Sequence, residues 1–164
     1  MSNYYIRLTF YGRDRFVDFP CTRDEYRNFF DAAKKLATGG QNVASHFLLS
    51  VTADVKALIA IKEVQAVYFM EGEKVQANNV QNITPILDTQ GISLYLKGRQ
   101  QAIDIQMSGQ GPLDDMIAGL TDSDYAEDGN QCVMLADDEG CSIFFVLDEI
   151  QYALVSASLV NPSS

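Results

Sequence analysis

The residues best suited to binding chemistry are arginines and tyrosines in the first thirty positions. The candidate binding residues are Tyr5, Arg7, Tyr11, Arg13, Arg15, Arg23 and Arg27, with Tyr4 beside them. Arginine can grip phosphate and tyrosine can stack on bases, as in sheet-faced modules that hold single strands. Both residue types are also favoured at protein interfaces. The set therefore predicts a protein interface or plain polar surface, with a nucleic-acid surface as the alternative.

The alternation of apolar residues predicts which face of the first strand these side chains occupy. Ile6, Leu8 and Phe10 alternate as the buried side of a strand does. Arg7 has the opposite parity, so we expect it to point away from the core on the face that carries Tyr11.

The remaining side chains show no arrangement typical of a catalytic site. His46 is the single histidine, and it opens an apolar run typical of a strand, so we expect a structural role for it. Cys21, Cys132 and Cys141 are an odd number with no CxxC spacing, which argues against a disulfide framework or a zinc site. We expect three buried or half-buried thiols and a protein that is not an enzyme.

Two acidic segments and one glycine segment are explained by loops and turns. The acidic segment 122–130 lacks the closing glutamate of a calcium loop, so a solvated loop is favoured. Glycine with small acidic residues at 137–140 is typical of a hairpin turn. Residues 109–112 have no Lys or Arg beside their glycines, which favours a capped helix start over an anion site. We therefore predict neither a metal site nor a cofactor.

Charge is distributed unevenly along the 164 residues. Residues 1–82 hold ten Lys/Arg and nine Asp/Glu, whereas residues 83–164 hold two and thirteen. Because an acidic surface repels polyanions, any nucleic-acid role belongs to the first half. The apolar runs are strand-sized and the N-terminus lacks signal-peptide features, so we expect a cytoplasmic protein without membrane contact.

The sequence matches itself at an offset of 86 residues. Positions 6–19 align with 92–105 without a gap, and five of these fourteen positions are identical. The same offset aligns 61–65 with 147–151, and an offset of 87 aligns the amphipathic segment 26–33 with 113–120. The pattern predicts an internal duplication in which the two halves superpose, with Val64 and Ile150 buried and Gln65 and Gln151 facing the opposite way.

Each half predicts the same order of elements. A hairpin turns at Gly12, a helix capped by Thr22 or Asp24 runs to about Ala37, and three short strands follow. The helix should bury one face through Tyr26, Phe29, Phe30, Ala33 and Leu36. The alternation slips at 62–63 and again at 148–149, where a bend is expected. The units are 1–72 and 91–160, and the polar segment 73–90 is a connector.

This order of one helix and bent strands resembles the Sm and Sm-like proteins, duplicated in tandem. The resemblance lies in the order of elements over about two thirds of the chain; the Sm motifs that line the RNA pocket have no match. It implies an α+β, β-rich fold in which each unit closes into a small barrel. Closure would remove exposed strand edges.

The leading hypothesis is a non-enzymatic binding or assembly protein in which two small-barrel-like units pack together. Strand edges or the Tyr/Arg face would then associate with copies of itself or with another protein. A fused pair of similar units already presents a pseudo-symmetric interface. The alternative is binding of RNA or single-stranded DNA through the first half.

Overall fold

A computed structural model describes residues 3–40, 43–72, 80–81, 90–107, 117, 121 and 132–160. The first half contains β1 (Tyr4–Phe10), β2 (Phe16–Cys21), α1 (Arg23–Ala37), β3 (His46–Ser50), β4 (Val55–Ala60) and β5 (Val64–Glu71). The rest contains β6 (Val80–Gln81), β7 (Gly91–Leu96), β8 (Ile103–Gln106), β9 (Cys132–Ala136), β10 (Ser142–Val146) and β11 (Ile150–Ser156). The fold is α+β and rich in strands, as expected.

Local sequence signals place the turns and the helix start. Gly12 adopts a positive φ of 78° between β1 and β2, and Gly98 adopts 73° between β7 and β8. The Thr22 hydroxyl accepts a hydrogen bond from the Glu25 amide, while the Glu25 carboxylate accepts one from the Thr22 amide. This reciprocal cap satisfies two amides at the start of α1.

The buried face of α1 is narrower than its sequence predicts. Phe29 is the one residue of α1 that is fully buried. The expectation that Phe30 and Leu36 are buried is wrong, because both are more than two fifths exposed. Phe30 instead packs edge-on against Phe69 of β5 at the protein surface.

Strand pairing is the same in the two halves. Ile6 lies opposite Phe19 in β1 and β2, and Ile92 lies opposite Ile105 in β7 and β8, in each case 86 residues later. Leu8 opposite Val67 corresponds in the same way to Leu94 opposite Ala153. β3 with β4, and β9 with β10, form the equivalent antiparallel hairpins.

The expected bends are present in both halves. Ile61–Glu63 and Leu147–Glu149 each form a single 3-10 turn between two strands. The Tyr11 amide donates to the Glu63 carbonyl, and the Lys97 amide donates to the Glu149 carbonyl. The slip in alternation therefore marks the same bend twice.

One hairpin crosses from the first half to the second. β4 pairs with β11 in antiparallel register, with Ala57 opposite Leu154 and Ile59 opposite Tyr152. The sheets have the orders β5-β1-β2-β6, β3-β4-β11-β7-β8 and β9-β10. None of these three sheets closes on itself, so the expectation of a small barrel per unit is wrong for the described strands. Each half instead supplies three antiparallel strands, in the order β5-β1-β2 or β11-β7-β8, and a hairpin.

The β4–β11 junction joins two hydrophobic cores. The first core is built mainly from the first half but includes Tyr95, Tyr152 and Leu154. The second core is built mainly from the second half but includes Leu58. Tyr95 stacks on Tyr152 with ring centroids 4.2 Å apart. The two halves thus share their interiors through one continuous sheet.

The polar connector contributes at least one strand. Val80–Gln81 pairs in parallel with β2, so this part of the connector is packed against the first half. The other residues from 73 to 89 lie outside the described residues. So does most of the second expected helix, of which Ile117 is helical and buried.

Candidate interaction surfaces

Arg7 does not lie on an exposed face. Its side chain is buried beside Asp18, the residue opposite it in the β1–β2 hairpin. Nε donates to Oδ1 at 2.6 Å and Nη2 donates to Oδ2 at 3.0 Å, a bidentate geometry. The hydrogen bond to Asp18 raises the pKa of Arg7. Arg7 lies outside the apolar cluster of Ile6, Leu8 and Phe10, but the face that it occupies is covered, so the prediction of an exposed binding residue there is wrong.

Arg13 reaches from the first hairpin across to the second half. Nε donates to Oε1 of Gln151 at 2.5 Å, and Nη2 donates to the Leu96 carbonyl at 3.1 Å. The guanidinium carbon lies 5.7 Å from the ring centroids of both Tyr95 and Tyr152. Arg13 thus serves as a bridge between the two halves.

Gln151 completes this bridge from the other side. Its side-chain nitrogen Nε2 donates to the Tyr11 carbonyl at 2.6 Å and to Oε1 of Glu63 at 3.3 Å. Lys97 forms an ion pair with Glu63 at 3.1 Å, and Lys62 pairs with Asp148. Gln151 is buried and Gln65 exposed, whereas Ile150 is buried and Val64 only half-buried. The burial predicted for Ile150 is therefore confirmed, and the burial predicted for Val64 is wrong.

The other candidate binding residues are spread over three elements. Tyr5 is half-buried in β1, Tyr11 and Arg15 are exposed near the first hairpin turn, and Arg23 and Arg27 are exposed on α1. Arg27 lines a depression that also contains Asp31 and Glu71, so acidic groups accompany it there. With Arg7 and Arg13 used internally, the set does not form one basic face.

An apolar strand edge runs along β5. One side of β5 pairs with β1, and no strand in the described part of the chain pairs with the other side. Tyr68 is 56% exposed on this strand, and Gln65 and Ala66 are also exposed. A strand edge of this kind offers unpaired backbone donors and acceptors to another strand.

A second edge is formed by β10. It pairs with β9, and within the described residues its other side meets no strand. Phe144 of β10 is 61% exposed and Met134 of β9 is 63% exposed. In the first half the position equivalent to Phe144 is Leu58, which is 3% exposed, packs in the second core and lies on a strand that pairs with β11. β10 has no such neighbour among the described strands.

Neither edge carries the usual protection against pairing. Native edge strands are often blunted by lysine, proline or inward-facing charge. β5 has one charged residue, Glu71 at its end, and β10 has none. Neither strand contains proline. Both edges are therefore chemically able to accept a further strand.

A cavity of about 460 Å³ lies between α1 and β3. Glu25 on its wall is already engaged, because its carboxylate accepts hydrogen bonds from the amide and hydroxyl of Ser50 at 2.8 Å. His46, also on the wall, is buried and its Nδ1 lies 2.8 Å from the Ser45 hydroxyl. Its pKa falls to about 4, chiefly by burial and secondarily through Lys62, with Asp148 opposing. A neutral, buried histidine fits the expected structural role.

The cysteines differ from one another in exposure. Cys21 is buried, and this burial raises the pKa of its thiol to about 12, with Glu25 adding to the effect. Cys141 is exposed, so the expectation of a buried or half-buried thiol is wrong there. The turn at 137–140 is confirmed, because Asp137 Oδ1 accepts hydrogen bonds from the Glu139 and Cys141 amides.

Other site classes find no support in the part of the chain that is described. No group of three metal-ligating side chains occurs among these residues, and the acidic segment 122–130 lies outside them. None of the described helices has the length and apolar character needed to cross a membrane.

Comparisons with known proteins return nothing: no family model, curated protein or solved structure matches this chain. The Sm-like resemblance therefore stays at the level of element order. The sequence suggested association through strand edges but not which strands form them, because β5 and β10 have the same apolar pattern as paired strands. Only the comparison of equivalent strands within the fold reveals that each lacks a neighbour.

Proposed function

We propose that this chain is a non-enzymatic assembly protein built from two duplicated units. Its unpaired strand edges, β5 and the β9–β10 hairpin, bind a further strand from a protein partner or another copy. The single observation that carries the proposal is that β4 and β11 are paired, while β10 and β5, their equivalents, are not. Strand addition to such edges is a common mode of protein recognition.

The duplication is supported by the shared registers at an offset of 86 residues. Its consequence is that the chain already contains one example of the contact it would make with a partner. At that internal example, Leu58, Ile59, Leu154 and Val155 lose nearly all contact with water. Burial of this kind contributes about 25 cal/mol per Å² of apolar surface.

The nucleic-acid alternative depends on Tyr11, Arg15, Arg23 and Arg27, the exposed members of the candidate set. Asp31 and Glu71 beside Arg27 weaken the local attraction for phosphate. We therefore place assembly first.

The test is the native mass of the protein in extracts of the cells that make it. We expect a complex larger than one chain that survives nuclease treatment and is lost in Tyr68→Asp and Phe144→Asp. Leu36→Asp, an equally simple change at an exposed apolar position on α1, should keep it. A complex that dissociates on nuclease treatment, or that persists in both edge variants, would overturn the proposal.

A further inference from the structure

We infer that the partner of each open edge is a second copy of this chain, joined head to tail by pairing of β10 with β5. This inference rests on the proposed function and names the partner of the same edges. The internal β4–β11 contact is the template, since β10 is the equivalent of β4 and β5 is the equivalent of β11.

The template also fixes a register. Within the chain Leu58 lies opposite Ala153, and Ala57 lies opposite Leu154. Replacing β4 by its equivalent β10, 86 residues later, and β11 by its equivalent β5, 86 residues earlier, places Phe144 of one copy opposite Val67 of the next. The same step places Ile143 opposite Tyr68. The pairing is antiparallel, as at the template.

The side chains at these positions fit such a contact. Tyr68 and Phe144 are both large, apolar and more than half exposed, although they lie on different halves of the chain. In the proposed register Phe144 lies opposite Val67 on one face of the sheet, and Tyr68 lies opposite Ile143 on the other face. Each is an aromatic residue paired with a β-branched one, a combination that stabilises a sheet. Val67 and Ile143 are half-buried in the single chain, and this pairing would cover each of them further.

The contact is heterologous, because it joins two different edges. Each added copy offers a fresh β5 edge and a fresh β10 edge, so association continues until a ring closes or a filament forms. A contact between two β5 edges or two β10 edges would instead stop at two chains. This difference makes the direction of pairing measurable.

The test uses purified full-length chains blocked at one edge each. Ala66→Asp with Tyr68→Asp places two charges on β5, and Ser142→Asp with Phe144→Asp places two on β10. All four positions are exposed, so folding should be retained, which circular dichroism checks. Leu36→Asp serves as the control for an added surface charge.

Wild type and the control should exceed the 18.2 kDa of one chain by light scattering at about 100 μM. Each blocked variant alone should have the mass of one chain. An equal mixture of the two should form a dimer of two chains, because one copy supplies its intact β10 and the other its intact β5. Amide exchange should slow in both of these strands on mixing.

A wild-type protein with the mass of one chain would overturn the inference, as would a mixture that stays monomeric. A blocked variant that dimerises alone would show pairing of like edges and would also overturn it. If purified wild type is monomeric while the extract complex still depends on Tyr68 and Phe144, another protein is the partner. In that case the proposed function stands and the inference fails.

Discussion

Tyr68 and Leu154 occupy equivalent positions in β5 and β11, yet Tyr68 is 56% exposed and Leu154 is fully buried. Both strands pair on one side with a first strand, β1 or β7, in the same register. Leu154 packs in the first hydrophobic core and its strand is flanked by β4, whereas Tyr68 contacts Phe16 at the surface and no described strand flanks the outer edge of β5.

Leu154→Ala should therefore destabilise the protein much more than Tyr68→Ala. Loss of a fully buried leucine side chain costs about 2–5 kcal/mol of unfolding free energy. Tyr68→Ala should cost below about 1 kcal/mol, since its ring contact is with Phe16 at the surface. Urea unfolding at low protein concentration measures both, because association would itself add stability. Equal losses would mean that the Tyr68 side chain is buried within the chain.

The buried pair Arg7 and Asp18 gives a second prediction. Arg7→Met leaves the Asp18 carboxylate buried without its bidentate partner, which costs about 3–5 kcal/mol. The double variant Arg7→Met with Asp18→Leu should recover most of this loss, because no charge remains buried.

Chemical denaturation of the single and double variants measures this coupling. Arg15→Met is the matched control, since Arg15 is exposed in the same hairpin, and its cost should be within about 0.5 kcal/mol. An Arg7→Met protein as stable as Arg15→Met would contradict the structural role.

Local patterns in the sequence predicted much of this fold. Gly12, the Thr22 cap and the break at Lys62 depend on backbone conformations that a few neighbouring residues determine. The sequence match at an offset of 86 residues predicted that both halves have the same order of elements. Such a match keeps each residue on the same face of its strand, and this is required for the same face to stay buried.

The sequence could not predict which strands meet across the two halves. β4 and β10 are both apolar, and only the packing of the whole chain decides that β4 gains a neighbour. The alternation in β1 was insufficient at Arg7 for a related reason. It separates the two faces of a strand but does not show whether the second face is also covered. The partner Asp18 lies eleven residues away, at a position that becomes adjacent only once the hairpin register is known.

Arg13 and its equivalent Arg99 give a third prediction. Arg13 donates to Gln151 and Leu96 and lies over two tyrosine rings, whereas Arg99 is exposed. Arg13→Lys removes the planar fork and should cost about 1–2 kcal/mol, while Arg99→Lys should change stability by less than about 0.5 kcal/mol. Thermal and urea unfolding compare the two. Equal effects would contradict the role of Arg13 as a bridge between the halves.

His46 gives a prediction for the dependence of stability on pH. Its ordinary pKa is 6.5, and burial lowers it to about 4 in the folded chain. Between these values the unfolded chain binds a proton at His46 that the folded chain does not. The free energy of unfolding therefore falls as the pH decreases from 6.5 towards 4, by at most about 1.4 kcal/mol per pH unit from this group.

Comparison with His46→Gln isolates this contribution, because the acidic side chains titrate in both proteins. Urea titrations at about pH 7.5, 6 and 5 give the unfolding free energy of each protein, and these values cover the range in which His46 titrates in the unfolded chain. The difference in unfolding free energy between wild type and variant should be constant above pH 6.5 and should move in favour of the variant at lower pH.

Lys62 lies nearby and helps to keep the His46 ring neutral, so Lys62→Met should raise the pKa of His46 and weaken the dependence of stability on pH. Parallel curves for wild type and His46→Gln over this range would show that His46 titrates normally and is not held neutral by burial.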